Sequence, residues 1–143
     1  MGRGNRFETL VAWQWGKNLA VDVFRTTRKG ELCRDFGLSG QMQRAAVSVP
    51  SNIAEAYERG SPAEFHHGLS NAKGSCAELR TQLYIARDIG YLSTEEFAPL
   101  IGRAEEAARI IGALRSADFF SLISPSAHQP LCSWADDTGS NAR

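Results

Sequence analysis

This 143-residue sequence has few of the residues that usually form disulfides and transition-metal sites: it contains three cysteines and three histidines. Cys33, Cys76 and Cys132 are odd in number and lack the close spacing of zinc ligands, so we expect free thiols in a reducing cytosol. The adjacent His66 and His67 diverge by about 100° on a helix and cannot hold one ion together. We therefore expect no metal and no other cofactor.

An excess of charge of either sign is also missing, since sixteen basic residues balance sixteen acidic ones. A lone subunit therefore has no global field that attracts nucleic acid. No apolar run is long enough to cross a membrane, and no secretory segment follows the start. These absences predict a soluble, cytoplasmic protein without a membrane partner, and the length predicts one domain.

Catalytic motifs are absent as well. Gly37 and Gly40 lack the strand and the lysine of a phosphate-binding loop. Ser48, Ser51 and Ser75 have no histidine at a local motif spacing, which leaves a triad assembled in space as the open alternative. We predict that the protein is not an enzyme.

What the sequence does have is helical periodicity. We predict helices over about residues 8–28, 41–59, 62–89 and 94–118, joined by a loop at 29–39 and by short turns that end at Gly60 and Gly90. Four such helices with short connections indicate an all-α, up-down antiparallel four-helix bundle over residues 1–120. Residues 121–143 lose the periodicity and are predicted to form a loosely ordered tail.

Apolar residues at three- and four-residue steps mark the predicted core. Ser61 with Glu64, and Ser93 with Glu96, predict capping boxes at the starts of helices three and four. In helix one, Trp13 is expected in the core and Trp15 is either an exposed anchor or a partly covered surface residue. The predicted core faces are Leu10, Trp13, Leu19, Val23 and Phe24 in helix one; Met42, Ala45, Ala46, Val49, Ile53 and Tyr57 in helix two; Phe65, Leu69, Ala72, Cys76, Leu79, Leu83 and Ala86 in helix three; and Phe97, Leu100, Ala104, Ala107, Ile111 and Leu114 in helix four.

Helix two carries a second, polar stripe around a proline. Pro50 lacks a backbone donor and crowds the carbonyl of Ala46, which predicts a kink. A solvated surface explains the stripe without function. The alternative is an interhelical or inter-subunit polar network in which Ser48 or Asn52 bonds to carbonyls that Pro50 frees. The polar stripe consists of Gln41, Arg44, Ser48, Asn52 and Glu55.

Helix three carries a basic strip beside its apolar seam. Lys73, Arg80 and Arg87 are seven residues apart and so share one edge, with Tyr84 nearby. Such positions often form salt bridges to a neighbouring helix. The alternative is a surface that contacts phosphates and would be multiplied by symmetry in an oligomer.

Two stretches resemble a bacterial four-helix-bundle family that includes proteins encoded by intervening sequences of large-subunit ribosomal RNA genes. The resemblance extends over about residues 7–118. Two departures are visible: Ala56 stands where glycine is usual, and a proline is missing before Phe36. The matching residues are Gln41, Arg44, Ala45, Ser48, Val49, Pro50, Asn52, Ile53, Ala54 and Glu55, followed by Gly74, Ser75, Glu78, Leu79, Thr81 and Leu83.

This resemblance implies a fold and an assembly. Members look like ring-shaped homo-oligomers, typically pentamers, and related bundles accompany the reverse transcriptases of diversity-generating retroelements. It also favours the network interpretation of the polar stripe. We therefore expect a non-enzymatic homopentameric scaffold or adaptor that binds RNA or a nucleic-acid enzyme. The alternative is a protein-only interaction module that binds no nucleic acid.

Overall fold

The computed structural model describes residues 6–117, which form four α-helices and no strand. Helix α1 spans Val11–Thr27, α2 spans Phe36–Arg59, α3 spans Pro62–Asp88 and α4 spans Thr94–Ser116. Short 3-10 helices, Phe7–Thr9 and Leu32–Arg34, precede α1 and α2. Each helix packs against the next one in the chain, and α4 packs back against α1. The prediction of an all-α four-helix bundle is confirmed.

The predicted loop at 29–39 is too long, because α2 begins at Phe36. Asp35 caps this helix: its side chain accepts a hydrogen bond from the backbone N–H of Leu38 at 3.0 Å. The Tyr91 hydroxyl donates to the other carboxylate oxygen of Asp35, also at 3.0 Å. A capping aspartate held from the α3–α4 turn thus offsets the weak helix propensity of the glycines that follow it.

The predicted helix ends at Gly60 and Ser93 are confirmed. Gly60 ends α2 in the left-handed conformation, with φ at 77°, which glycine adopts without strain. Ser93 and Glu96 form the full capping box at the start of α4. At Ser61 the hydroxyl accepts the N–H of Glu64 as predicted. The Glu64 carboxylate accepts from that same hydroxyl at 3.3 Å, and the predicted capping box is only half formed.

The apolar faces predicted for α2, α3 and α4 form the core, with Tyr57 and Leu114 at its margin. The face predicted for α1 is partly wrong. Trp13 and Leu10 are only partly buried, and Trp15 packs against the core as a partly covered residue. The predicted Leu19 and Val23 are fully buried, and small residues that let the helices approach closely fill the rest of this face. The buried residues of α1 are Ala12, Gly16, Leu19, Ala20, Val23 and Thr27.

Two close helix contacts depend on glycine. A Cβ atom added to Gly16 of α1 would lie 3.0 Å from Val49 Cγ1 and 3.3 Å from the Pro50 nitrogen of α2. A Cβ atom added to Gly68 of α3 would lie 2.2 Å from the Cβ of Ala56. Helix α2 continues through the buried Pro50 as one helix, and the kink there stays a prediction.

The predicted bundle boundary at residue 120 and the predicted tail at 121–143 lie outside the described residues. None of the helices within residues 6–117 is long and apolar enough to cross a membrane.

Candidate assembly and nucleic-acid interfaces

The polar stripe runs along the edge of α2 that borders α3. At its C-terminal half, Asn52 and Glu55 line a groove of about 380 Å³ together with His67 and Asn71 of α3. Gly68, beneath the groove, packs against α2 within van der Waals distance. The spacing of the stripe predicted that its residues share one edge of α2. It could not predict the groove, because the groove is formed by the contact of α2 with α3.

The hydrogen bonds of the polar stripe stay within α2. The Ser48 hydroxyl donates to the carbonyl of Ala45 at 2.8 Å, and the Asn52 amide donates to the carbonyl of Ser48 at 2.7 Å. The carbonyl that loses its helical donor to Pro50 is that of Ala46, four residues before it. Ser48 and Asn52 are thus bonded to neighbouring carbonyls and not to the freed one.

The charged members of the stripe are exposed. Glu55 pairs with Arg59 one turn later, and Arg59 also lies 3.8 Å from Glu64 of α3. Exposed pairs of this kind contribute about 0–1 kcal/mol to stability. Gln41 and Arg44 are exposed on the same helix. A solvated face and an inter-subunit network are therefore the two alternatives for this stripe.

The edge of α3 that carries His67 and Asn71 continues towards the other end of the bundle as Gln82, Ile85 and Ile89. Gln82 is only 5% exposed, and its Oε1 atom is buried without a hydrogen-bond partner. Its amide nitrogen has one long bond, 3.5 Å, to Glu78. Ile85 and Ile89 are 45% and 54% exposed. Sequence reasoning missed this edge, although isoleucines outside the heptad seam were a visible signal.

Phe36, the first residue of α2, is 83% exposed. The Asp35–Tyr91 hydrogen bond places this residue at the same end of the bundle as the C-terminus of α3. We call Phe36, Ile85 and Ile89 the apolar end. Phe36 begins α2, and Ile85 and Ile89 lie at the C-terminal end of α3.

The basic strip lies on the opposite edge of α3, next to α4. Lys73 is exposed, and its ammonium lies 3.5 Å from where a Cβ of Gly112 in α4 would be. Arg80 is half-buried, and its Nε atom is buried without a hydrogen-bond partner. Within residues 6–117, no salt bridge within 4.0 Å joins Lys73 or Arg80 to an acidic side chain.

Arg87, the third cation of the strip, lies among aromatic rings. Its guanidinium carbon is 4.6 Å from the ring centroid of Phe97 and 5.1 Å from that of Tyr84. The two rings are themselves 5.1 Å apart. Arg87 also bonds to Asp88 at 3.0 Å. We call Tyr84, Arg87 and Phe97 the aromatic cluster; Phe97 comes from α4 and could not be assigned to it from spacing along α3.

Metal ligands and nucleophiles are the remaining candidate groups. No group of three or more His, Cys, Asp or Glu side chains within residues 6–117 is arranged to hold a metal ion. Ser75 bonds to the carbonyl of Asn71 in its own helix. Burial in the core raises the pKa of the Cys76 thiol to about 11, and the nearby charge of Arg80 opposes this only in part.

One solved structure has the same fold over most of this chain. It is a protein of unknown function from the S23 ribosomal protein family of Bacteroides thetaiotaomicron, 20% identical, with a TM-score of 0.68. The likeness covers 75% of this chain and 100% of that one. No curated protein matches the sequence.

The family match agrees with the motif-based resemblance. Residues 8–113 match the family described as 23S rRNA-intervening sequence protein. This range contains all four helix cores, the polar stripe and the basic strip. The chain belongs to the 23S rRNA-intervening sequence protein family.

Proposed function

We propose that the protein is a non-enzymatic scaffold or adaptor that assembles with copies of itself through the α2–α3 face. The observation that carries this proposal is the apolar end, where Phe36, Ile85 and Ile89 are 83%, 45% and 54% exposed. Single exposed apolar residues need no explanation, but several at one end of a helix pair are typical of an interaction surface. Five copies is the number that the sequence resemblance implies.

The α2–α3 face offers both kinds of group that an interface needs. The apolar end supplies area that leaves water on association, and the polar stripe supplies hydrogen-bonding groups around it. Gln82 lies between them, with one long hydrogen bond and an acceptor atom that has no donor among residues 6–117. Rotation of this amide towards a second copy would satisfy it.

Light scattering at micromolar concentration tests the assembly. We expect a multimer for the natural sequence and a monomer for Ile85→Lys with Ile89→Lys, because buried lysines in the interface lack partners. The control is Val21→Lys, which changes a 41% exposed apolar residue of α1 and should leave the mass unchanged. A strictly monomeric natural protein would overturn the proposal.

A second surface, the basic strip, supports contact with RNA or with an enzyme that acts on RNA. Lys73 and Arg80 have no salt bridge to an acidic side chain within residues 6–117. Unpaired cations on one edge are suited to phosphate oxygens. One subunit supplies few charges, and a symmetric ring repeats them. The competing hypothesis is a module that binds only proteins.

Filter binding with Lys73→Gln and Arg80→Gln tests the RNA contact. Arg87 is left in place because it packs on Phe97. We expect weaker binding to all sequences and a flatter dependence on salt, since fewer counterions are released. Arg28→Gln with Lys29→Gln, two exposed cations after α1, is the matched control. Absence of RNA binding by the natural protein at low salt would favour the protein-only module.

A further inference from the structure

The aromatic cluster gives the basic strip a feature that phosphate contact does not require. Tyr84 is 41% exposed although it lies 5.1 Å from Phe97. The Arg87 guanidinium is positioned over both rings. One edge of a helix thus combines cations with a partly open aromatic ring that is supported from α4.

Exposed aromatic rings and arginine planes are surfaces on which unpaired nucleobases stack. Bases in a duplex already stack on each other, and their faces are not available. Tyr84 lies one helical turn, about 6 Å, from Arg80, and Lys73 lies about 10 Å further along α3. A single strand could therefore place one base at Tyr84 while its phosphates follow Arg80 and Lys73.

We infer that the basic strip binds single-stranded nucleic acid in preference to duplex, with one unpaired base stacked on Tyr84. This inference rests on the proposed nucleic-acid contact. The recognised chemistry is an unpaired base followed by phosphates, which both RNA and DNA single strands supply.

Fluorescence anisotropy at low salt tests the preference with three probes of about 12 nucleotides: oligouridine, oligothymidine and an RNA duplex. We expect both single strands, or oligouridine alone, to bind more tightly than the duplex. If only oligouridine binds, the ligand is RNA. Tyr84→Leu should weaken single-strand binding by about 5- to 150-fold, the equivalent of one stacked base. Its duplex binding should stay unchanged, and Tyr84→Phe should bind as the natural protein does.

Two further experiments do not depend on whether Tyr84→Leu folds. Tyr84→Trp presents a larger ring and should strengthen single-strand binding without changing duplex binding. Photocrosslinking with bromouridine should mark the peptide that contains Tyr84. Equal affinity for duplex and single strand, unchanged by Tyr84→Leu, would overturn the inference and leave the phosphate contact in place. No binding of any probe would overturn the nucleic-acid proposal as well.

Discussion

Ala56 and Gly68 lie against each other across the α2–α3 interface, so closely that only one of the two positions can carry a Cβ atom. A Cβ on Gly68 would be 2.2 Å from that of Ala56 and 3.0 Å from the Asn52 carbonyl oxygen. The sequence resemblance led us to expect glycine at position 56. In this chain the small residue needed at the crossing is supplied by the facing helix.

We expect Gly68→Ala to lower the free energy of unfolding by about 1–3 kcal/mol, the usual cost of overpacking. Gly74→Ala is the matched control, since an added Cβ there meets nothing within 4 Å. It should instead stabilise α3 by about 0.5–1 kcal/mol. Ala56→Gly should partly rescue Gly68→Ala, because the Asn52 contact remains. Urea unfolding measures all four proteins; a neutral Gly68→Ala would contradict the tight contact.

Pro50 sets the geometry of α2 in our interpretation. Replacing it with alanine restores a backbone donor and raises helix propensity by about 3 kcal/mol on host–guest scales. It also removes the ring whose Cδ faces Gly16. We expect Pro50→Ala to keep or raise helicity by circular dichroism while weakening the oligomer by light scattering. Pro99→Ala, at an exposed position in α4, is the control, and unchanged assembly of Pro50→Ala would remove this role.

Asp35 should make stability depend on acid pH. The N–H of Leu38, and then the Tyr91 hydroxyl, lower the pKa of this carboxyl group. A lowered folded-state pKa contributes stability that is present above the unfolded value of about 3.9 and is lost as pH falls through the folded value. Urea unfolding from neutral pH to about pH 2 should show this loss. Asp35→Asn still caps but does not titrate, so its curve should be flatter; parallel curves would contradict the assignment.

We expect an apolar residue in place of Gln82 to stabilise the isolated subunit. Gln82→Met removes a buried acceptor without a donor and should raise the free energy of unfolding by about 1–3 kcal/mol. The control is Gln43→Met, since Gln43 donates to the buried Thr27 hydroxyl at 2.9 Å and its loss should destabilise by about 1 kcal/mol. If a second copy pairs with Gln82, Gln82→Met should also weaken the oligomer. A destabilised Gln82→Met would show that the amide is satisfied.

The cysteines should differ in reactivity. Cys76 is fully buried with a pKa of about 11, so very little reactive thiolate exists at about pH 8. Cys33 is partly exposed and its thiol contacts the Gly30 carbonyl. Peptide mapping after brief alkylation should find Cys33 modified and Cys76 protected until denaturant is added. Equal labelling under native conditions would indicate that the core opens readily.

The core of α3 was predictable because long apolar residues recur there at strict heptad spacing. In α1 the predicted Leu19 and Val23 are fully buried, but the buried Ala12, Gly16 and Ala20 were not predicted, because such small residues carry weak hydrophobic signals. The start of α2 was missed for a related reason. Asp35 was a visible capping residue, but the glycines at 37 and 40 weakened the helical signal after it, and the supporting Tyr91 is 56 residues away.

The sequence predicted which residues share an edge of a helix, but not which residues of other helices they meet there. Seven-residue spacing places Lys73, Arg80 and Arg87 on one edge of α3 whatever the fold. It does not reveal that Phe97 comes from α4 to meet Arg87. Nor does it reveal that Ile85 and Ile89 stay exposed, since this depends on which part of α3 packs against α2.

Arg103 of α4 reaches Asp22 of α1 at 2.7 Å, which joins the last helix to the first. An even number of antiparallel helices returns the chain to the end where it entered. A protein fused before Arg6 or after Ala117 would therefore emerge from the same end of the bundle, away from Phe36 and Ile89. If the protein forms the proposed ring with all copies pointing the same way, every fused protein would lie at one rim, and the opposite rim would stay free for a partner.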